Sequence, residues 1–120
     1  MLPYLEPDIV VEITSTSEGH NMSAGTNFSL TCIIGGIEKL RPELIFEWIR
    51  FNGIDFEEIN VTSNKIHFFP LKLSEAGNYM CQVSIRSSLL RSDLSLVSMP
   101  PYTVRAIGKY YNNILSLVII

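Results

Sequence analysis

The chain has 120 residues, 47% of them hydrophobic and 18% charged, with a formal net charge of −3. That length supports one domain with a modest core, and the composition is that of a folding sequence rather than a disordered one. The negative balance and the lack of any Lys/Arg run leave no electrostatic footprint for nucleic acid or for a basic membrane-surface patch.

From the N-terminus, Met1-Leu2-Pro3-Tyr4-Leu5-Glu6 lacks the basic start and apolar stretch of a secretory signal. Residues 1–7 are expected as an N-terminal extension. Beyond them the hydrophobic pattern has period two, as in half-buried strands. Ile9, Val11 and Ile13 share one phase. After the turn signal Ser23-Ala24-Gly25, Phe28, Leu30 and Cys32 share a phase against Asn27, Ser29 and Thr31. Gly35-Gly36 then opens a loop to Leu44 that mixes Glu38, Lys39, Arg41 and Glu43 with Ile37 and Leu40. That apolar pair is read either as a charge-rimmed contact site or as packing onto its own domain.

Phe46 and Trp48 alternate with Glu47 and Ile49. Asn52-Gly53 then signals a hairpin, because both residues tolerate positive φ, into a strand near Phe56 to Ile59. Ile66 and Phe68 alternate with His67 and Phe69, and Pro70, expected inside the same strand, requires an edge position or a bulge. Glu75-Ala76-Gly77 marks the next turn. Tyr79, Cys81, Val83 and Ile85 follow in one phase, and Leu94, Leu96 and Ser98 close the series. Many short strands without intervening helices predict an all-β sandwich or barrel. Pro100-Pro101 is expected to end the domain, placed at 8–99. Residues 100–120 are then a linker and tail: 102–113 a polar linker or the first strand of a second module, and Ile114 to Ile120 either a truncated membrane segment, with Tyr110 and Tyr111 as an aromatic belt, or a strand of a further domain.

The two cysteines, taken alone, are compatible with one bridge or with two unrelated buried thiols. Their surroundings carry a stronger signal. Trp48 follows Cys32 by sixteen residues, Cys81 follows Cys32 by forty-nine, and Tyr79 stands two before Cys81. In this Cys…Trp…Tyr-x-Cys spacing the chain resembles the immunoglobulin superfamily, over about Asp8 to Ser98. The resemblance implies a two-sheet antiparallel immunoglobulin-like β-sandwich. It further implies a Cys32–Cys81 disulfide across the core and a Trp48 indole beside it. Tyr79 becomes a tyrosine corner whose hydroxyl returns to backbone just upstream, and Gly77 the residue of the tight turn before it. Leu30, Phe46, Phe68 and Leu71 complete the expected core. Only seventeen residues separate Trp48 from Ile66, so the chain looks like the I-set or C2 kind rather than a variable domain. Glu75 stands where the family usually has Asp and is expected to reach Lys65.

Asn21-Met22-Ser23, Asn27-Phe28-Ser29 and Asn60-Val61-Thr62 are N-glycosylation sequons. They are read as glycan acceptors or as plain surface asparagines. No nucleophile motif, phosphate loop or metal-ligand spacing occurs, so no catalytic residue, metal or cofactor is expected. Glu57 and Glu58 on one strand would point to opposite faces, and His67 lies on an outward phase. The resemblance implies an extracellular or cell-surface binding module that engages protein partners, with a membrane relevant only through a missing or truncated C-terminal segment. The alternative is a spacer in a tandem array, intracellular and with reduced cysteines.

Overall fold

A computed structural model describes residues 8–16, 21–109 and 116–119; the expected N-terminal extension, residues 1–7, lies outside them. In chain order the strands are β1 (Val10–Ser15), β2 (Asn21–Ser23), β3 (Phe28–Gly35), β4 (Glu43–Phe51), β5 (Phe56–Ile59), β6 (Lys65–Phe68), β7 (Gly77–Arg86), β8 (Leu94–Val97), β9 (Tyr102–Lys109) and β10 (Ser116–Ile119). One 3-10 turn, Leu73–Glu75, precedes β7. These runs are rich in Ile, Val, Phe and Thr, which suit a pleated, half-buried surface.

Two sheets result. The smaller has the order β1-β3-β6, and the larger β10-β9-β7-β4-β5, with β2 running parallel to β9 and β8 pairing with β7. This is the antiparallel sandwich that the resemblance implies. Leu30, Cys32, Ile66 and Phe68 line one inner face. Trp48, Tyr79, Cys81, Val83, Ile85, Val104 and Ala106 line the other, all buried. Between Ile59 and Lys65 the chain forms no further strand, in keeping with the short Trp48–Ile66 interval.

Several expectations are revised. The proline pair does not end the paired strands. β8 and β9 run along the same flank of β7, as one strand interrupted at Ser98–Pro101. β9 buries Val104 and Ala106 in the core. Residues 102–109 therefore complete the same sandwich instead of linking it to another module. Ser98 mends the interruption: its Oγ accepts the Cys81 N–H at 2.9 Å and its own N–H donates to the Cys81 carbonyl at 2.9 Å. Residues 116–119 form β10 on β9; Tyr110, Tyr111 and the rest of 110–115 lie outside the described residues. No helix among the described residues is long and apolar enough to cross a membrane.

Pro70 is not inside a strand, because β6 stops at Phe68 and Pro70 falls in the following turn; β6 itself is an edge strand. The Asn52-Gly53 hairpin has a four-residue turn rather than a two-residue one. Gly53 takes φ +99°, and Asn52 Oδ1 accepts the Ile54 and Asp55 N–H groups at 3.1 Å. A side-chain acceptor thus does the work that a positive φ at Asn52 would have done.

Candidate functional site

The predicted constellation assembles at the centre of the sandwich. β3 carries Cys32 on one sheet and β7 carries Cys81 on the other. Their Cα atoms lie 6.1 Å apart and the sulfurs are bonded, within the separation a bridge requires. On β4, Trp48 stands opposite Cys81 in register and is fully buried. Its indole N–H, which would be orphaned in an apolar core, donates to the Ser63 carbonyl at 2.9 Å. Leu30, Phe68 and Leu71 are buried as expected. Phe68 stacks on Phe28 at 4.6 Å and meets Tyr79 edge-on at 5.5 Å. Phe46 is only half-buried, because β5 stops at Ile59 opposite Trp48 and leaves Phe46 on a groove shared with Ile59 and Val61.

The Tyr79 hydroxyl donates to the Glu75 carbonyl, the corner that the resemblance implies. Burial pushes the Tyr79 phenol up to about 12, against the opposing charge of Arg50. A Cβ on Gly77 would stand 2.9 Å from Arg50 Cγ and 3.0 Å from the Phe51 carbonyl oxygen, so the corner closes onto β4 only with glycine there. Glu75 does not reach for Lys65. Its carboxylate accepts the Lys72 N–H at 2.8 Å, satisfying the free donor that opens the 3-10 turn. The cation near this corner is instead Arg50, which donates to the Ser74 carbonyl and pairs with Glu57. Sequence reasoning did not single out Arg50. Its phase was the available signal, since it shares the inward side of β4 with Trp48. Glu57 and Glu58 do point to opposite faces, Glu57 toward Arg50 and Glu58 outward.

Of the loop pair, Leu40 is buried with Leu90 and Ile37 packs on the core, while Ser87 Oγ donates to the Leu40 carbonyl at 2.6 Å. That loop packs onto its own domain. His67 is exposed, 2.7 Å from Ser29 Oγ and stacked on Phe69. Among the described residues no group of His, Cys, Asp and Glu is placed to hold a metal. Asn27 and Asn60 are exposed; the Asn21 side chain lies outside the described residues.

What the structure adds is the outer face of the larger sheet. Ile45 and Val97 are each 41% exposed, Phe56 and Met99 69%, and Ile54 at the hairpin tip 85%. Ile49, Phe51 and Met80 are half-buried among them, with Phe51 and Phe56 in ring contact at 4.8 Å. On the other sheet Val10, Ile33 and Phe69 are also exposed, but Glu12 and Lys65 interleave with them in register. The signal for the outer face was in the sequence, as apolar residues on the phase opposite Trp48.

Against known proteins, the family model described as immunoglobulin domain matches residues 18–90, more than half of the chain. None of the curated proteins matches it.

Proposed function

The chain belongs to the immunoglobulin domain family, and from that premise we propose that it is a non-catalytic extracellular binding or adhesion module of a cell-surface receptor or secreted protein. Members of this family are binding-type modules that commonly mediate protein interactions. The outer face of the larger sheet engages the protein partner.

One observation carries this reading: a disulfide-locked core supports a rigid sheet whose outer face leaves Ile45, Phe56, Val97 and Met99 exposed together. Large apolar side chains left on the outside of a sheet favour an interaction surface there. The bridge itself favours an oxidising compartment. Exposed sequons at Asn27 and Asn60 favour the same compartment and are proposed as glycan acceptors, together with Asn21.

Expression of the gene in its own cells, followed by mass spectrometry without reductant, tests the compartment. A bridged chain with glycan on these asparagines supports the reading, whereas free thiols and bare asparagines favour the intracellular spacer. Ile49→Asp tests the face: it should abolish attachment to partner-bearing cells while leaving the thermal midpoint within a few degrees.

A further inference from the structure

Charge and symmetry together narrow the partner of that outer face, an inference that rests on the binding role just proposed. With Trp48 and Cys81 turned to the core, alternation turns Glu47, Ile49 and Phe51 of β4 outward, with Asn78, Met80 and Gln82 of β7. Arg105 of β9 joins them, exposed between the buried Val104 and Ala106. The register sets Phe56, Phe51 and Asn78 in one row, Glu58, Ile49 and Met80 in the next, and Glu47 with Gln82 in a third. Thr103 extends the first row onto β9, and Arg105 lies one row beyond it.

The unpaired charges on this face are segregated. Glu47 and Glu58 are exposed on the β4–β5 side and Arg105 on the β9 side. None of the three has an ion-pair partner among the described residues, whereas Arg86 is held by Asp93 and Arg50 by Glu57. Glu47 stands one strand from β7, level with Gln82; Arg105 stands one strand to the other side, level with Ala76. Their midpoint therefore falls on β7 between Asn78 and Met80. A two-fold axis through that point, in the plane between two facing copies, sets Glu47 of each against Arg105 of the other.

The same axis follows the apolar side chains. With strands about 4.8 Å apart and a rise of about 3.4 Å per residue, Glu47 and Arg105 of one copy are about 22 Å apart. The axis perpendicular to that line runs obliquely across the strands. It passes Phe56 and Phe51 and crosses β7 beside Met80. It leaves near Met99, which follows the Ser98 that is hydrogen-bonded to Cys81. Phe56 and Met99, each 69% exposed, and the half-buried Phe51 and Met80 thus meet their own counterparts along it.

We infer that the occupant of this face is a second copy of the chain, docked about that axis as an isologous dimer. Arg105 of each copy enters between Glu47 and Glu58 of the other, which as diagonal neighbours stand roughly 7–8 Å apart. The aromatic and methionine side chains lose water at the centre. A wholly acidic or wholly basic partner meets like charge on one flank or the other. The face covers about 500 Å² per copy, four strands wide and about 27 Å long, near the lower bound for a specific contact. The dimer is therefore weak, with dissociation on the order of 100 μM, which suits a module that acts in many copies at once.

The test uses the full oxidised chain carrying Asn21→Gln, Asn27→Gln and Asn60→Gln, because Asn21 stands beside Arg105 in register and a glycan there borders the contact. Sedimentation velocity from about 5 μM to about 1 mM should show a monomer–dimer equilibrium. NMR shifts on dilution should centre on residues 47–51, 56–58, 78–82 and 105. Arg105→Glu and Glu47→Arg, both at exposed sites, should each weaken the dimer at least about fivefold. The two reversals in one chain should return it to within about threefold of the parent. A dimer that neither reversal weakens, or that the pair does not restore, overturns this two-fold. A chain monomeric throughout, or dilution shifts on β1, β3 and β6, overturns the second copy as occupant. If that monomeric chain still attaches to partner-bearing cells and Ile49→Asp abolishes the attachment, the binding role stands and only the present inference fails.

Discussion

Replacing both cysteines, Cys32→Ala with Cys81→Ala, removes the side-chain cross-link between the sheets. The bridge spans a sequence separation of 49. On the chain-entropy treatment, closing a loop of that length restricts the unfolded chain by about 4 kcal/mol at 25 °C. Both sulfurs are buried beside Trp48, so their loss adds about 1–2 kcal/mol of unfilled space. The sum, about 5–6 kcal/mol, is comparable to the whole stability of a domain this size, about 5–15 kcal/mol. Trp48 is the only tryptophan and is itself buried, so its fluorescence reports unfolding without a label. With a urea slope of about 1–1.5 kcal/mol per molar, the midpoint should fall by about 3–6 M, and the variant should be largely unfolded at 37 °C. A midpoint within about 1 M of the parent would refute the reasoning. So would a native emission spectrum already that of indole in water.

Tyr79→Phe should lower stability at neutral pH by about 1 kcal/mol, the worth of the hydroxyl bond to the Glu75 carbonyl. The parent carries an alkaline dependence that this variant lacks. An unfolded tyrosine titrates near ~10 and folded Tyr79 at about 12, so the unfolded chain gives up its proton first. The contribution of that phenol is full below pH 10 and is lost as pH rises to 12. Urea melts across that interval should show a fall on the order of 2–3 kcal/mol in the parent and a shallower one in the variant. Trp48→Phe should lose about 2–4 kcal/mol in a chemical melt, through unfilled volume and the unpaired Ser63 carbonyl. Gly77→Ala should lose about 1–3 kcal/mol by the same measurement, since its Cβ meets β4 and its φ of +152° suits glycine.

Alternation in the chain itself determined most of the strands, and the Cys…Trp…Tyr-x-Cys spacing, through the resemblance it carries, pointed to the bridged pair, the buried indole and the tyrosine corner. Each of these is local: a phase shared by Phe28, Leu30 and Cys32, or a Tyr-x-Cys after Gly77, is written within a few residues. Strand β9 was hidden because Pro100-Pro101 reads locally as a stop. Its partner, the start of β7, lies more than twenty residues earlier, and only the closed sheet reveals a ladder that resumes beyond the break. Ser98 was read as a strand end, yet tertiary pairing makes it the fully buried patch between β8 and Cys81. Glu75 lost its expected partner to a backbone N–H three residues away, and Arg50 took the floor from the opposite strand. Periodicity tells which side chains share a face of a strand. Whether that face is covered is a tertiary matter: β5 stops opposite Trp48 and leaves Phe46 half-buried beside it, and no second layer lies over the side that carries Ile45 and Val97.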